Sequence, residues 1–482
     1  MTKGRHRIAT VLSIALLASG CALTPAATEP VMVEHIRTRA GFAHAEINGS
    51  ETADRIDWWA DLGGSGLSEA VARLRTHNFD LIEARERVVQ AELRAVQARG
   101  GRFPSAGADL GAAYGRAPVP PAGFEWDDSY SLGLTASFNT DIFGQLRARE
   151  RSARLGSSAA RLNYVATEQQ LIAILAQSWV NAASLQRRLE LAIEIAESYR
   201  VTYTLTDQRY DTGSRNTAAS DVQIARQNLE AALADIPDLE TQLAAQLIQI
   251  DLLLARPAGQ TAQYFESDLS VDRQMIIPAG LPADLLMDRP DVAAAALSYQ
   301  AALEDIGAAR ADLFPGLTLT TALSFQGDEP GDVVDFDDLL ANLAASLTQP
   351  VFQGGRLRAE VQIQESEAAA LSSAFARAAL TALTDVETAL VQQSGLIRQL
   401  EQLDAALRSA EISNQIAQDR YRQGLIPLLS VLETQRSLNA ARLNIILTEQ
   451  ALILARIDLH QSLGGRWFDD AEERQSIAGE VP

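Results

Sequence analysis

The stretch LFPGLTLTTALSFQG, from Leu313 to Gly327, decides the fold because its pattern differs from that of the rest of the chain. Most of the sequence is rich in alanine and predicts long helices. After the Phe-Pro-Gly motif, apolar residues occupy almost every second position from Leu317 to Phe325, with small or hydroxyl-bearing residues between them. A period of two is typical of a β-strand that is apolar on one face. The stretch therefore predicts a strand within a mainly helical protein.

Three further segments alternate in the same way. The predicted strands cover about residues 105–116, 130–140, 316–326 and 340–349. Strands of about ten residues with one apolar face have the length that crosses a bilayer in a tilted barrel. Four strands cannot close a barrel, and an open sheet edge in lipid leaves backbone amides unpaired. If the strands span a membrane, several chains must contribute to one barrel. The alternative is a sheet covered by a helical subdomain.

The chain is a tandem duplication. Phe103-Pro104 recurs as Phe314-Pro315, and the Tyr-x-x-Gly motif at Tyr210 recurs at Tyr421; both pairs are 211 residues apart. Because the matches keep one order and one offset, each half is predicted to have the same plan of two strands and a helical hairpin.

Long helices follow each pair of strands. They are predicted from Gly144 to about Thr206 and from Gly355 to about Arg422, with returning helices at about 217–255 and 427–463. Pro237 is expected to kink or interrupt the first returning helix. The first long helix carries an apolar seam with the 3.5-residue spacing of a coiled coil. Its members are Leu171, Leu175, Ser178, Ala182, Leu185, Leu189, Ala192 and Ala196.

The N-terminus has the pattern of a targeting segment. Basic residues precede the apolar run from Ile8 to Gly20, which is too short to span a membrane as a helix. Cys21, the only cysteine, follows directly. This arrangement resembles a bacterial lipobox and predicts removal of residues 1–20 and lipidation of Cys21. The alternative is an ordinary signal peptidase site followed by an incidental cysteine.

Composition excludes several classes of function. The formal charge of −21 argues against a nucleic-acid partner, because phosphate binding needs a basic surface. A single cysteine allows neither a disulfide within the chain nor a thiolate metal site. The five histidines have no metal-binding spacing, and neither a P-loop nor a G-x-S-x-G elbow is present. We therefore predict no enzyme activity, no cofactor and no metal site.

Two segments resemble a known family. They are WWADLGGSGLSEAVARLRTHNFDLIEARERV (residues 58–88) and LPADLLMDRPDVAAAALSYQAALEDIGAARADLFPGLTLT (residues 281–320). Both are similar to TolC-like outer-membrane efflux proteins, in particular the lipoprotein branch that serves resistance–nodulation–division pumps. The resemblance runs from about Trp58 to Trp467.

The resemblance implies a homotrimer located in the outer membrane. Three copies would form a 12-stranded β-barrel in lipid, and the long helices would form a helical barrel in the periplasm. A periplasmic adaptor protein would connect that barrel to an inner-membrane pump. The implied division is a signal peptide (1–20), a lipidated N-terminal and equatorial segment (21–57), a first repeat (58–256), an equatorial linker (257–287), a second repeat (288–463) and a tail (464–482).

The family closes its channel at the tips of the helical hairpins. Carried over by position, the predicted gate residues are Asp221, Tyr421 and Glu433. Ile426 and Ser430 occupy positions where a family member has charged residues. A gate that is held closed by salt bridges is therefore not expected. The alternative is that Asp221 and Glu433 only cap or solvate the starts of helices.

The same tips are the implied contact surface for the adaptor. The residues carried over, besides Tyr421, are Arg209, Tyr210, Gly213, Arg215, Arg420, Arg422 and Gly424. The two glycines have an alternative explanation, because a helix that ends in a left-handed turn prefers glycine there.

The resulting hypothesis is a passive channel that carries small molecules across the outer membrane as part of a tripartite efflux system. One alternative is a pore-free coiled-coil lipoprotein that spaces the layers of the envelope. Another is the outer channel of a type I protein secretion system. The cargo would be chosen mainly by the pump and the adaptor.

Overall fold

The computed structural model describes residues 23–39, 41–45, 58–119, 123–213, 217–263, 265, 282, 289–331 and 339–464. Cys21 and Arg215 lie outside the described residues. So do the predicted signal peptide and most of the predicted equatorial linker and C-terminal tail.

The described residues form eight α-helices and four strands. In chain order they are α1 (Val31–Arg37), α2 (Ala60–His77), α3 (Phe79–Gly100), β1 (Ser105–Val119), β2 (Gly123–Thr140), α4 (Gln145–Asp211), α5 (Ala219–Leu253), α6 (Pro290–Ala311), β3 (Gly316–Gly327), β4 (Leu340–Thr348), α7 (Arg356–Arg422) and α8 (Leu428–Leu463). None of the helices in this part of the chain is both long and apolar enough to cross a membrane.

The predicted duplication is visible in the elements themselves. α3 and α6 have 22 residues each, and α4 and α7 have 67 residues each. Each repeat therefore consists of one short helix, a β-hairpin, a very long helix and a returning helix. At 1.5 Å per residue, α4 and α7 are each about 100 Å long.

Helix packing follows the predicted coiled-coil seam. Five of its eight members are buried, including Leu175 and Ala182, and the other three are half-buried. Where α2 and α8 also pack on α4, the buried surface widens beyond the seam to include Trp179, which belongs to the same hydrophobic core as Ile250 and Ile457. The α4 helix thus lies between neighbours on several sides, whereas a two-stranded coiled coil buries one narrow stripe.

The four strands form one antiparallel sheet in the order β1-β2-β3-β4. The register pairs Leu110 with Leu132, and Leu132 with Phe325. It also pairs Thr321 with Leu343 on β4. Because directly paired residues share a face, the apolar positions predicted on all four strands lie on the same side of the sheet. Small and hydroxyl-bearing residues occupy the opposite side.

Most of this apolar face is open within the protomer, with Phe325 as a buried member. Leu110 is 77% exposed and Leu343 is 82% exposed. The strands make their extensive contacts with one another, and no described helix packs broadly on the sheet. The alternative of a sheet covered by a helical subdomain is therefore not what the structure shows.

The first β-hairpin is longer than predicted. The first two strands were predicted at about residues 105–116 and 130–140, but β1 continues to Val119 and β2 begins at Gly123. The pairing persists through Pro118 because β1 is an edge strand, where a missing N–H costs no ladder bond. The rings of Tyr114 and Trp126 stack at 5.2 Å on this extension.

Pro237, which was expected to kink or interrupt α5, does not interrupt it. The helix runs unbroken from Ala219 to Leu253 with Pro237 inside it. Leu229 and Ala232 before the proline and Leu239 after it are buried. Packing on both sides of the proline outweighs the loss of one helical hydrogen bond, since tertiary contacts supply most of the stability of a helix in a protein.

The N-terminal strap, which we define as residues 23–39 and 41–45, runs along α6 and α7. Its first residue, Leu23, accepts a hydrogen bond at its carbonyl from Arg310 Nη1 at 3.3 Å. In its middle, α1 places Val33 and Ile36 in a core with Phe375 of α7. The strap therefore begins beside the C-terminal end of α6, close to the start of β3.

Glu387 of α7 holds the other end of the strap. Its carboxylate accepts hydrogen bonds from Arg39 Nη2 at 2.9 Å and from the backbone N–H of Ala43 at 2.7 Å, and it lies 2.9 Å from His44 Nδ1. Burial alone would raise the pKa of Glu387, but these donors together hold its pKa below the usual value.

Candidate functional site at the hairpin tips

Both long helices end in the same kind of turn. Gly213 and Gly424 follow the helix ends with φ of +72° and +75°. After α7, the N–H of Gly424 donates to the carbonyl of Tyr421, and the N–H of Leu425 donates to that of Arg420, both at 2.9 Å. These are the two bonds of a Schellman motif. The predicted left-handed glycine turns are confirmed at both positions.

Tyr421 is buried between the two hairpins. Its ring lies in an apolar core with Tyr199 and Leu432, and only 4% of the residue is exposed. Its hydroxyl lies 2.9 Å from Thr206 Oγ1, which is fully buried. The threonine hydroxyl also donates to the carbonyl of Thr202 at 2.8 Å, which leaves Tyr421 as the donor in the shared hydrogen bond. This bond joins α4 to α7.

Arg209 holds the same tyrosine from the other side. Its guanidinium carbon lies 4.5 Å from the centroid of the Tyr421 ring, within the range of a cation–π contact. Its Nη2 donates to the carbonyl of Arg422 at 2.6 Å. The last carbonyls of a helix lack intrahelical donors and carry partial negative charge, so a guanidinium here stabilises the end of α7. We call Thr206, Arg209 and Tyr421 the tip clamp.

The two halves of the duplication differ at this point. Tyr210 corresponds to Tyr421 by the 211-residue offset, yet it is 46% exposed. Arg420 and Arg422 are also exposed, and Arg422 Nη1 forms an ion pair with Asp419 at 3.0 Å. Of the residues expected to contact an adaptor, Tyr210, Arg420 and Arg422 are therefore exposed. Arg209 instead contacts other residues of its own protomer.

The other two predicted gate residues do not meet Tyr421. Asp221 accepts a hydrogen bond at 2.9 Å from the N–H of Ala218, the residue preceding α5. This is the helix-capping role that was the alternative for Asp221. Glu433 is exposed and forms no hydrogen bond or ion pair with any other described residue.

Sequence reasoning missed a buried polar ladder behind the tip clamp. Gln435 of α8 is 2% exposed, and its Nε2 donates to Ser198 Oγ at 3.1 Å and to Thr202 Oγ1 at 3.0 Å. Its Oε1 has no hydrogen-bond partner among the residues that the structure describes. Ser198, Thr202 and Thr206 follow one another at intervals of four residues, a hydroxyl stripe on α4 that could have been recognised from the sequence.

Burial also perturbs the neighbouring tyrosine. Desolvation raises the pKa of Tyr199, against the opposing influence of Arg436. Arg436 Nη2 in turn donates to Asn228 Oδ1 at 2.9 Å, which ties α8 to α5. No group of three or more histidine, cysteine or acidic side chains that could hold a metal ion is found in the part of the chain that the structure describes. The tip is thus built from hydrogen bonds and packing that hold two hairpins together.

A family model described as "outer membrane efflux protein" matches residues 70–256 and 281–465 of this chain. The two matched ranges correspond to the two structural repeats. The chain belongs to the outer membrane efflux protein family.

Relatives of this outer membrane efflux protein match it over nearly their whole length. The pyoverdine export outer membrane protein OpmQ of Pseudomonas aeruginosa is 31% identical, over 97% of this chain and 98% of the relative. The cation efflux system protein CusC of Escherichia coli is 27% identical, over 94% and 97%. The solved outer-membrane channel OprN superimposes with a TM-score of 0.85 at 24% identity, and covers 93% of this chain and 100% of that one.

These similarities confirm the predicted fold class and location. The efflux protein is a mainly helical, tandem-duplicated protomer of the TolC-like channel type, with long helices for a helical barrel and strands for a β-barrel. Its function is that of an outer-membrane efflux channel. The tip clamp lies at the end of the helices farthest from the strands, since α4 and α7 both begin at the sheet and end at the tips.

Proposed function

We propose that three copies of the chain form one continuous, passive duct that receives small molecules from a periplasmic adaptor and an inner-membrane pump of the resistance–nodulation–division type. One observation carries the proposal. The protomer presents a four-stranded sheet with an exposed apolar face and two unpaired edges, β1 and β4.

Edge pairing explains why the assembly closes. In lipid, each unpaired N–H and C=O group on β1 and β4 would cost several kcal/mol. In the sheet β4 runs antiparallel to β3 and opposite to β1. The β4 strand of one copy can therefore pair in antiparallel fashion with the β1 strand of the next. Three copies supply twelve strands, an even number above the minimum of eight for a membrane barrel.

The position of the N-terminal strap supports lipidation of Cys21. Arg310, which binds the carbonyl of Leu23, precedes the first residue of β3 by only six positions. Leu23 follows Cys21 by only two positions, so a lipid on Cys21 would reach the periplasmic surface of the outer membrane. A thioether-linked lipid together with a β-barrel would hold the protein by two independent anchors.

The tip clamp is the proposed gate. Opening the helical barrel at its periplasmic end requires the α7–α8 hairpin to move away from α4. The Thr206–Tyr421 hydrogen bond and the Arg209 contacts are what such a movement would break. Glu433, exposed and without a partner among the described residues, would face the copies around the threefold axis and favour cations there. Asp221 would act as a helix cap only.

The exposed tip residues are the proposed adaptor surface. Tyr210, Arg420 and Arg422 offer an aromatic ring and two guanidinium groups beside two fixed glycine turns. Aromatic and arginine side chains are the types most often found at the energetic centre of protein interfaces. Arg209 would take part only if the clamp opened.

The chain itself would perform no chemistry and select cargo weakly. Two relatives of comparable identity are named for pyoverdine export and for cation efflux, cargoes with little in common. A shared duct that leaves selection to the pump accounts for both. A pore-free spacer would have no use for an amphipathic sheet, and a protein-secretion channel would share this architecture but serve a different pump.

Planar-bilayer recording of the purified protein tests the duct. We expect discrete conductance steps from trimers, with a small basal conductance because the tip clamp is closed. A purified trimer without conductance, even after the clamp residues have been replaced, would contradict the duct. Co-purification with cross-linking then identifies whether the inner-membrane partner is an efflux pump or a protein secretion machine.

A further inference from the structure

Every strand of the sheet meets its neighbouring helix through a phenylalanine and an arginine four residues apart. Before β1 and β3 the order is Arg-x-x-x-Phe, and after β2 and β4 it is Phe-x-x-x-Arg. The four pairs are Arg99 with Phe103, Phe143 with Arg147, Arg310 with Phe314, and Phe352 with Arg356. Since the sheet is antiparallel, all four junctions lie along one end of it, the end that faces the helices.

In the proposed barrel, this row of junctions would lie at the periplasmic boundary of the membrane. The phenylalanines directly follow the apolar face, and the arginines lie about one helical turn farther from the sheet. Aromatic rings prefer the level of the lipid headgroups, and arginines extend to the phosphates beyond them. Tyr114 and Trp126, 66% and 61% exposed, lie toward the opposite end of the same face.

The two central junctions are satisfied within the protomer. The rings of Phe143 and Phe314 stack at 4.8 Å. Arg147 forms an ion pair with Asp141 at 3.1 Å, and Arg310 pairs with Glu365 at 2.8 Å. These four residues therefore need no further partner.

The two outer junctions are different. Phe103 is 59% exposed and Phe352 is 89% exposed. Arg99 and Arg356 are exposed as well, and neither pairs with a carboxylate in the part of the chain that the structure describes. Among the described residues, the hydrogen-bond partner of the Arg356 side chain is a neutral side chain, that of Gln353. Both junctions belong to the edge strands β1 and β4.

Edge-to-edge pairing brings these outer junctions together. In the proposed trimer, β4 of one copy adjoins β1 of the next, so Arg356 and Arg99 from different copies meet at each seam. Two guanidinium groups without carboxylates repel each other unless an anion lies between them.

The start of α7 adds a second, independent preference for an anion. Its first turn contains no acidic residue, and Gly355 at its N-cap supplies no side-chain cap. The free N–H groups of a first turn and the positive end of the helix dipole favour bound phosphate. In α7 this preference coincides with Arg356.

We propose that an anionic phospholipid of the inner leaflet binds at each seam between copies, with its phosphate held by Arg356 and the first turn of α7 from one copy and by Arg99 from the next. Phe352 and Phe103 contact its acyl chains. The site rests on the proposed trimer, because each copy supplies only half of it.

Native mass spectrometry of the detergent-solubilised trimer, titrated with phosphatidylglycerol or phosphatidylcholine, tests the site. We expect up to three tightly retained phosphatidylglycerol molecules per trimer and weaker retention of phosphatidylcholine. The double variant Arg99→Gln/Arg356→Gln should lose affinity for phosphatidylglycerol by roughly tenfold or more, because each arginine near an anionic lipid contributes appreciably. Arg99→Lys/Arg356→Lys keeps both charges and should keep the preference for phosphatidylglycerol.

The matched control is Arg85→Gln/Arg377→Gln, which removes one exposed arginine from each of the same two helices far from the sheet. It should retain phosphatidylglycerol like the unmodified protein. Equal retention of the two lipids, or undiminished retention by the Arg99→Gln/Arg356→Gln variant, would overturn the site. Loss of the trimer with unchanged lipid binding per remaining trimer would show that the arginines pair with a neighbouring copy and not with lipid. Absence of any trimer in the unmodified protein would instead refute the proposed assembly.

Discussion

At the residue scale, the account depends on how Tyr421 is held. Its hydroxyl bonds to Thr206, while its ring lies under Arg209. The family resemblance pointed to Tyr421 as a residue of the tip but did not indicate Thr206 and Arg209 as its neighbours. Position along the chain carries over between relatives, whereas a hydrogen-bond partner depends on which side chains the packing brings within 3 Å.

Replacing Tyr421 should loosen the tip. Tyr421→Phe removes the hydroxyl but leaves Thr206 bonded to the carbonyl of Thr202. We therefore expect the free energy of unfolding to fall by about 1 kcal/mol. Thr206→Val leaves the buried hydroxyl of Tyr421 without its acceptor. It should lower the free energy of unfolding by more, about 1–3 kcal/mol. Both variants should raise the basal conductance in planar bilayers. Tyr210→Phe, at the equivalent exposed position, should change neither stability nor conductance. Equal behaviour of Tyr421→Phe and Tyr210→Phe would refute the clamp.

The glycine at the end of α7 provides a separate test of the turn. Gly424 has φ of +75°, so Gly424→Ala should destabilise the tip by about 1–2 kcal/mol. Gly395 lies inside the same helix, and a Cβ added there meets nothing within 4 Å in the protomer. Gly395→Ala should therefore stabilise the helix by up to about 1 kcal/mol. Chemical denaturation followed by circular dichroism compares the two. A neutral Gly424→Ala would mean that the turn is not left-handed in solution.

At the scale of single elements, periodicity predicted the strands and the long helices well. Alternation with a period of two located all four strands because each presents one apolar face, and that signal does not depend on tertiary contacts. The extension of β1 and β2 beyond the apolar band was missed, since residues 117–129 lack the alternation of apolar residues by which the strands were recognised. Whether Pro237 would kink or interrupt α5 could not be decided from the sequence, because local propensity ignores the packing on either side.

The N-terminal strap makes a prediction about pH. The folded-state pKa of Glu387 is lowered, so its contribution to holding the strap is present above the ordinary glutamate pKa and is lost as the pH falls through the folded value. Arg39 and His44 are the charged or titratable groups that face it. Amide hydrogen exchange at Ala43 and His44, corrected for the intrinsic rate, should therefore accelerate in acid.

Glu387→Gln supplies the control for this effect. The amide oxygen still accepts a hydrogen bond but carries no charge, so exchange at Ala43 and His44 should be faster at neutral pH and should no longer respond to acid through this group. Protection that stays constant between about pH 6 and pH 3 in the unmodified protein would show that Glu387 does not hold the strap.

At the scale of the whole molecule, the protomer is incomplete. Its apolar sheet face and two strand edges are exposed, and its tips hold Glu433 without a partner among the described residues. In the proposed assembly, lipid covers the apolar face of the sheet. Two further copies pair with its edge strands. The sequence indicated this assembly through strand number and length, but it could not indicate that the two outer Phe–Arg junctions remain open while the central two are satisfied. That distinction depends on which strands lie at the edges of the folded sheet.

Disulfide cross-linking of the strand edges tests the central claim most directly. One cysteine replaces Ala108 on β1, and a second replaces, in turn, Ala341, Leu343, Ala345 or Leu347 on β4, all on the apolar face. Within one protomer three strand spacings of about 4.8 Å separate β1 from β4, too far for a disulfide. We predict covalent dimers and trimers on non-reducing gels for at least one pairing, and none when the first cysteine is moved to Ala136 on the inner strand β2. Failure of every β1–β4 pairing to link separate copies in the native membrane would contradict the account.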